Sequence, residues 1–185
     1  PLHAFDLDKI EGGRVIVRKS KKGEKIVTID GEERELEAGI TVIADSSGPI
    51  AIAGVMGGTR TEVTESTRNL LLESAYFDPV STRQASRTLG LSSDSSYRFE
   101  RGVDKAMVLP SSDRAARMMA AETGGRICEL YDIGKAEPEK VTVEFDVKEA
   151  GDLLGVALEE KEVERILSRL GMQVDRSGNS LSIGV

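Results

Sequence analysis

One carboxylate stands out because the sequence places it among apolar neighbours. Residues 69–77 read NLLLESAYF, a composition typical of a β-strand. Because side chains alternate across a strand, Glu73 is expected to share a face with Leu71 and Phe77. A carboxylate in such surroundings needs a partner, since desolvation of its charged form is costly. A ligand hydroxyl is one possibility; the other is a salt bridge to Arg83, Arg87 or Arg98.

Three other sets of residues are candidates for chemistry, and each also has an ordinary structural explanation. His3 titrates near neutral pH, although a lone histidine is usually a packing or capping residue. The glycine-rich run GVMGG at 54–58 lets a ligand approach the backbone, or it ends a strand in a sharp turn. Serines typical of a loop lie at positions 92, 93, 95 and 96. No second base accompanies them, so the sequence does not support a Ser-His-Asp triad.

Composition and charge narrow the classes of function. The chain has 185 residues, enough to bury a core, and it lacks the run of about 18 apolar residues that a membrane span requires. Its single cysteine fits a reducing compartment, so we expect a cytoplasmic protein with no membrane partner. One histidine and no calcium-loop spacing predict no metal site. The net charge of −7 argues against tight nucleic-acid binding by this chain alone, although residues 81–120 carry seven basic and four acidic side chains.

The elements that must position these residues are expected to form an α+β fold: a largely antiparallel sheet flanked by helices. Predicted strands lie at 14–18, 25–29, 32–37, 40–45, 50–56, 69–77 and 126–131. The runs at 40–45 and 50–56 are the most continuously apolar, which predicts the buried centre of the sheet. Asp30-Gly31 predicts a two-residue hairpin turn.

The sequence also predicts where two helices begin and end. Asp78-Pro79 has the form of an N-cap followed by proline, and Gly90 ends that helix. A second helix is expected to run to about Thr123 and to end at Gly124. Residues 92–97, between the two helices, predict a loop.

A change of composition at KAEPEK, residues 135–140, predicts a domain boundary. We place one domain at 1–135, a linker at 136–140 and a second small α+β domain at 141–185. The second domain is predicted to contain a strand at 141–147, helices at 148–154 and 159–170, and a hairpin around 177–179. Because the chain begins without methionine and ends at Val185 on a strand expected to be unpaired, both domains are expected to be truncated.

Four motifs in this order resemble one protein family. They are PLHAFD at 1–6, AIAGVMGG at 51–58, LLESA at 71–75 and RFERGVD at 98–104. The chain is similar to the bacterial phenylalanyl-tRNA synthetase β chain, with 1–135 as its editing module and 141–185 as the start of the next domain. The resemblance implies hydrolysis of tyrosine wrongly attached to tRNA(Phe), and an α chain as partner in an αβ heterotetramer. It implies ATP and Mg²⁺ for the parent enzyme and no cofactor for this fragment.

The resemblance also implies roles for single residues. Glu73 matches the residue that recognises the tyrosine hydroxyl, which agrees with its predicted apolar surroundings. His3 matches a residue that orients the terminal adenosine or the attacking water, while Gly54 and Gly57 match glycines whose backbone lines the pocket.

Two positions depart from the family pattern. Ser93 stands where threonine is usual and keeps a hydroxyl for positioning water, whereas Ser95 stands where alanine is usual and adds a polar group to the pocket wall. Two alternatives remain open at this point. One is a noncatalytic module that shapes the β chain or docks tRNA, and the other is a freestanding deacylase.

Overall fold

The computed structural model describes residues 1–134, 141–177 and 180–184. The chain divides into two compact units, Pro1–Ala136 and Glu137–Val185, and each is described here by itself. The predicted linker at 136–140 lies outside the described residues, as does the tip of the predicted hairpin at 178–179. The predicted domain boundary therefore stays a prediction.

The first unit is built from short strands that pair only in antiparallel fashion, and the α+β class is confirmed. In chain order they are β1 (Leu2–Asp6), β2 (Ile16–Lys19), β3 (Glu24–Val27), β4 (Glu33–Leu36), β5 (Thr41–Ala44), β6 (Pro49–Ile52), β7 (Met56–Gly57) and β8 (Leu70–Ser74). They form three sheets, β2-β5-β6-β7, β1-β8 and β3-β4, instead of one. The β1–β8 ribbon is separate because it packs its apolar face against the four-stranded sheet.

The core lies on both faces of that sheet, and β5 shows why. Val42 and Ala44 belong to one buried cluster, which also contains Ala85, whereas Ile43 points the other way into a second cluster with Phe5. This alternation follows from the period of two along a strand. The predicted central position of β5 and β6 is confirmed. The predicted extent of the strand at 50–56 is wrong, because the chain turns at 53–55 and returns as β7, which pairs with β6.

Three helices complete the first unit, and two of them confirm the sequence signals. Helix α1 (Pro79–Thr88) is capped by Asp78, whose side chain accepts the backbone N–H of Ser81. Helix α2 covers Asp94–Phe99. Helix α3 (Val108–Thr123) ends at Gly124, which adopts φ +67°, a conformation that glycine reaches without strain. Short 3-10 helices occupy Leu7–Lys9, Glu11–Gly13, Thr59–Thr61 and Lys105–Met107.

Three other local predictions for this unit are wrong. The predicted loop at 92–97 contains the start of α2, because Ser93 and Ser96 form a reciprocal capping box. The predicted strand at 126–131 is absent from the described structure, since no described strand pairs with it and β-propensity alone does not hold a strand in place. Finally, the hairpin turn is longer than two residues. Thr28 N–H donates to the Glu32 carbonyl oxygen, so three residues, 29–31, form the loop, and Gly31 adopts φ +85° within it.

The second unit is a smaller α+β arrangement. Its elements are β9 (Thr142–Phe145), α4 (Val147–Leu154), α5 (Glu160–Arg169), β10 (Gln173–Ser177) and β11 (Ser180–Gly184). The prediction of an unpaired last strand is wrong, because the hairpin folds β11 back between β10 and β9. The core of this unit contains Val163, Leu181 and Ile183. Within the described ranges of both units, no helix combines the length and the apolarity that crossing a membrane would require.

Candidate functional site

The candidate site forms where the β1–β8 ribbon covers the β6–β7 hairpin. His3 on β1 lies directly opposite Glu73 on β8, and Phe5 lies opposite Leu71. Residues two apart on a strand share a face, so His3 and Glu73 lie on the same face as Phe5, which is 1% exposed in the core. The predicted face of Glu73 is therefore confirmed, and the ribbon places an acid and an imidazole side by side over an apolar cluster.

The side chain of Glu73 is half-buried; the positive charge of the Pro1 amine acts on it but forms no salt bridge with it. Its Oε2 is shielded from solvent and has no hydrogen-bond partner. Burial raises the pKa of Glu73 to about 7, because desolvation disfavours the charged form. Across residues 1–134, 141–177 and 180–184, no salt bridge reaches this carboxyl group. The described part of the chain therefore does not contain the alternative, an ion pair between Glu73 and an arginine.

His3 is held between an aromatic ring and a glycine. Its ring meets the ring of Phe5 edge-on, with centroids 4.5 Å apart. On another side lies Gly57, where an added Cβ would come within 2.4 Å of His3 Cε1, much closer than atoms in van der Waals contact. Burial lowers the pKa of His3, so the neutral imidazole is favoured, with one nitrogen able to donate and the other to accept.

Gly54 occupies the turn of the β6–β7 hairpin, at residues 53–55. It adopts φ +71°, and an added Cβ would lie 3.1 Å from both Phe77 Cδ2 and Thr82 Oγ1. Both the backbone angle and the close packing therefore require glycine. The explanation of a sharp turn is confirmed for Gly54. The space beside the glycines is filled by side chains of the protein itself, Phe77 and Thr82 at Gly54 and His3 at Gly57, and the approach of a ligand to this backbone stays a prediction.

Ser93 and Ser95 lie at the start of α2 on the other side of this turn. Ser93 Oγ donates to the carbonyl oxygen of Val55 over 2.6 Å and accepts the backbone N–H of Ser96 at 3.1 Å. Ser95 is half-buried in the first turn of the helix. Thus the structure joins His3, Gly57 and Glu73 directly, and it connects Ser93 to them through the hairpin turn.

Sequence reasoning missed several residues that shape this region. Phe5 buttresses His3, and Phe77 stacks edge-on against Phe99 with centroids 5.0 Å apart. The signal for both was present, because Phe5 follows His3 by two residues and Phe77 shares the predicted face of Glu73. The capping box of Ser93 and Ser96 was also legible as two polar residues three positions apart.

No metal centre is formed by the described residues, since they contain no group of three or more histidine, cysteine or acidic side chains placed to hold an ion. The chemistry available to the site comes from a buried hydrogen-bond acceptor, Oε2 of Glu73, and a half-buried imidazole. A buried acceptor without a donor carries a free-energy cost, which a ligand hydroxyl would remove. The arrangement is therefore suited to binding a molecule that presents a hydrogen-bond donor to an otherwise apolar face.

The chain has clear relatives. The B3/4 domain matches residues 1–124. A phenylalanine–tRNA ligase beta subunit from Moorella thermoacetica is 48% identical over 179 residues, which are 96% of this chain and 22% of that protein. One from Aquifex aeolicus is 52% identical over 143 residues, 76% of this chain and 18% of that protein. The chain thus spans about a fifth of the length of these curated relatives.

A solved structure is also similar, at low sequence identity. It is an N-terminal fragment of the phenylalanyl-tRNA synthetase beta-subunit from Pyrococcus horikoshii, with a TM-score of 0.46 and 16% identity, covering 99% of this chain and 53% of that one. The resemblance to the phenylalanyl-tRNA synthetase β chain seen in the four motifs is confirmed by the family match and by the identities to the bacterial subunits. The chain belongs to the B3/4 domain family, in the form found in phenylalanine–tRNA ligase beta subunits.

Proposed function

We propose that this chain hydrolyses the ester between tyrosine and tRNA(Phe), and that Glu73 accepts the hydrogen bond of the tyrosine hydroxyl. The observation that carries the proposal is the buried Oε2 of Glu73, which has no partner among the described residues. Tyrosine differs from phenylalanine by one hydroxyl, and an apolar pocket rejects an added hydroxyl only by about a hundredfold. A second site that pairs this hydroxyl discriminates far better, because phenylalanine would leave the acceptor unpaired.

The reaction needs one water molecule. Its oxygen adds to the ester carbonyl, the bond from that carbon to the ribose oxygen breaks, and the ribose oxygen takes up a proton while tyrosine leaves as its acid. In this proposal His3, which is half-buried and has a lowered pKa, orients the terminal adenosine or the attacking water. Gly54 and Gly57 line the amino-acid site. We assign no general base, and the tRNA's own terminal hydroxyl is a candidate helper.

The activity of the whole protein is a proposal of the same kind. We infer a phenylalanine–tRNA ligase that attaches phenylalanine to tRNA(Phe) with ATP and Mg²⁺, in which an α chain carries the synthetic site and forms an αβ heterotetramer with the β chain. Support comes from the names of the relatives, 48% and 52% identical to this chain. A cytoplasmic location belongs to the same proposal, because a single cysteine fits a reducing compartment.

A noncatalytic tRNA-docking role is the alternative, and one surface favours it. The guanidinium of Arg101 lies 3.6 Å from the centroid of the exposed Tyr97 ring, and Lys105 Nζ lies 4.7 Å from that of Tyr76. Cations beside aromatic rings suit the bases and phosphates of single-stranded RNA. This alternative predicts tRNA binding by the β chain without ester hydrolysis by the site around Glu73.

Deacylation of tyrosyl-tRNA(Phe) by the assembled α and β chains tests the proposal. Glu73→Ala is expected to lower kcat/KM by about 10- to 100-fold, because the tyrosine hydroxyl loses its hydrogen bond to a shielded carboxyl oxygen. Glu35→Ala, which removes an exposed carboxylate from β4, is the matched control and should leave the rate unchanged. Equal rates for Glu73→Ala and wild type would support the docking alternative instead.

A further inference from the structure

The hydroxyl of Ser93 already donates and accepts hydrogen bonds within the protein. A serine hydroxyl has one proton to donate and two lone pairs. The proton of Ser93 goes to the Val55 carbonyl at 2.6 Å, and one lone pair accepts the N–H of Ser96 at 3.1 Å. Ser93 therefore has no proton left to donate to a water molecule or a substrate.

Capping α2 does not require both of these bonds. An N-cap serine satisfies its helix by accepting a backbone N–H from the first turn, and the bond from Ser96 does this. The bond to Val55 spans 38 residues and reaches a different element, the turn of the β6–β7 hairpin. It adds nothing to the helix end and instead ties two separate parts of the first unit together.

We call this hydrogen bond between Ser93 and Val55 the tie. The segments at both of its ends contact residues of the candidate site. On the hairpin side, Val55 follows Gly54, which packs against Phe77, and precedes Gly57, which contacts His3. On the helix side, Phe99 of α2 stacks on Phe77. A shift of the turn relative to α2 would therefore move the backbone at Gly54 and the surface against which the His3 ring rests.

We propose that Ser93 is a positioning residue that ties the start of α2 to the hairpin turn and thereby fixes Gly54 and Gly57 relative to His3 and Glu73. It acts through the Val55 carbonyl and does not hold the reacting water. The proposal rests on the proposed hydrolytic function for its consequence in catalysis, but the tie itself is a structural claim and is tested separately.

Hydrogen exchange measured on the assembled α and β chains tests the tie. The amides of Val55 and Gly58 donate to the carbonyls of Ile52 and Ile50, so they report on the hairpin turn. Ser93→Ala should speed their exchange about fivefold, as expected for one lost hydrogen bond. Ser93→Thr, which restores the hydroxyl, should return exchange to the wild-type rate. Unchanged exchange at both amides in Ser93→Ala would overturn the proposal.

A second variant separates the tie from the helix cap. Aspartate caps helices well but its carboxylate has no proton to donate, so Ser93→Asp should speed exchange at Val55 and Gly58 while α2 keeps its protection. Asp146→Ala is the matched control, because it removes a cap that accepts two backbone N–H groups in the second unit; it should leave both reporters unchanged. Wild-type exchange at these amides in Ser93→Asp would also contradict the tie.

Deacylation kinetics then test whether loss of the tie slows hydrolysis at the candidate site. Ser93→Ala should lower kcat/KM for tyrosyl-tRNA(Phe) about fivefold, in step with the faster exchange, and Ser93→Thr should restore it. A fall in kcat with unchanged exchange would instead assign Ser93 to the water and overturn the positioning role. Absence of hydrolysis by the wild-type enzyme would defeat the proposed function, whereas the exchange result would still decide whether the tie exists.

Discussion

Two carboxylates of the first unit, each with an oxygen shielded from solvent, have opposite environments. Burial alone would raise the pKa of Asp45, but two 2.7 Å hydrogen bonds from Arg60 and one each from the backbone N–H groups of Glu11 and Ser47 outweigh it and lower the pKa to about 2. Glu73 has a buried oxygen without a partner among the described residues, and its pKa rises to about 7. All the hydrogen bonds that Asp45 needs thus come from the protein itself, whereas Oε2 of Glu73 is available to a ligand that donates a hydrogen bond.

The difference distinguishes a structural acid from a candidate functional one. Asp45 lies at the end of β5 and holds the segment around Glu11 and the 3-10 helix that contains Arg60. Removing its charge would damage the fold. The side chain of Glu73 forms no hydrogen bond that holds another described segment in place, so removing its charge is expected to stabilise the fold and to impair only recognition.

Asp45 and Glu73 are expected to show the two largest effects, with opposite signs. Asp45→Ala should lower the free energy of unfolding by about 2–3 kcal/mol near neutral pH, because Arg60 and two backbone N–H groups lose their acceptor. Since the folded pKa is depressed, this stability is present above the ordinary aspartate pKa and is lost as pH falls toward about 2. Urea unfolding of the wild type and the variant at several pH values measures it. Asp113→Ala, from the exposed pair with Arg117, should show no measurable change.

Glu73 should respond in the opposite direction. Its raised folded pKa means that the protonated form stabilises the fold, so this contribution is fully present below the ordinary glutamate pKa and is lost as pH rises through about 7. Glu73→Gln, which stays neutral, should gain up to about 3 kcal/mol over wild type between about pH 5 and pH 8. The same unfolding series detects this gain, and an advantage independent of pH would mean that Glu73 is not desolvated.

A smaller effect on stability is expected from the contact between Gly57 and His3. Gly57→Ala places a methyl group where the His3 ring lies, so it should destabilise the fold by about 1–2 kcal/mol through overpacking. In the background of His3→Ala the same substitution should be close to neutral. Unfolding measurements on the four proteins of this double-mutant cycle give the coupling free energy. Additive effects would show that the glycine is not needed to make room for the histidine.

Ser95 should show the smallest effect. It is half-buried in α2 and lies beside the site without a role in the tie. Ser95→Ala should change the free energy of unfolding by less than about 0.5 kcal/mol, because alanine is a good helix former and no core is disturbed. Clearance of tyrosyl-tRNA(Phe) should change by less than about threefold. A change as large as that of Glu73→Ala would make Ser95 a recognition residue in its own right.

Much of the fold could be predicted from local patterns, and the failures share one cause. The caps at Asp78 and Gly124 and the apolar runs of β5 and β6 act through neighbours in sequence, so each was legible. The strand predicted at 126–131 failed because a strand needs a partner that its own residues do not specify. For the same reason, the sequence did not predict that β11 lies between β10 and β9.

The candidate site divides in the same way. The sequence by itself determined that Glu73 lies on an apolar strand face and which family the chain resembles, because these depend on side-chain alternation and residue identity. Only the tertiary structure decided that β1 pairs with β8, so that His3 faces Glu73, and that no described arginine reaches that carboxyl group. Contacts between residues seventy positions apart depend on how the whole unit buries its apolar surface, which no local pattern encodes.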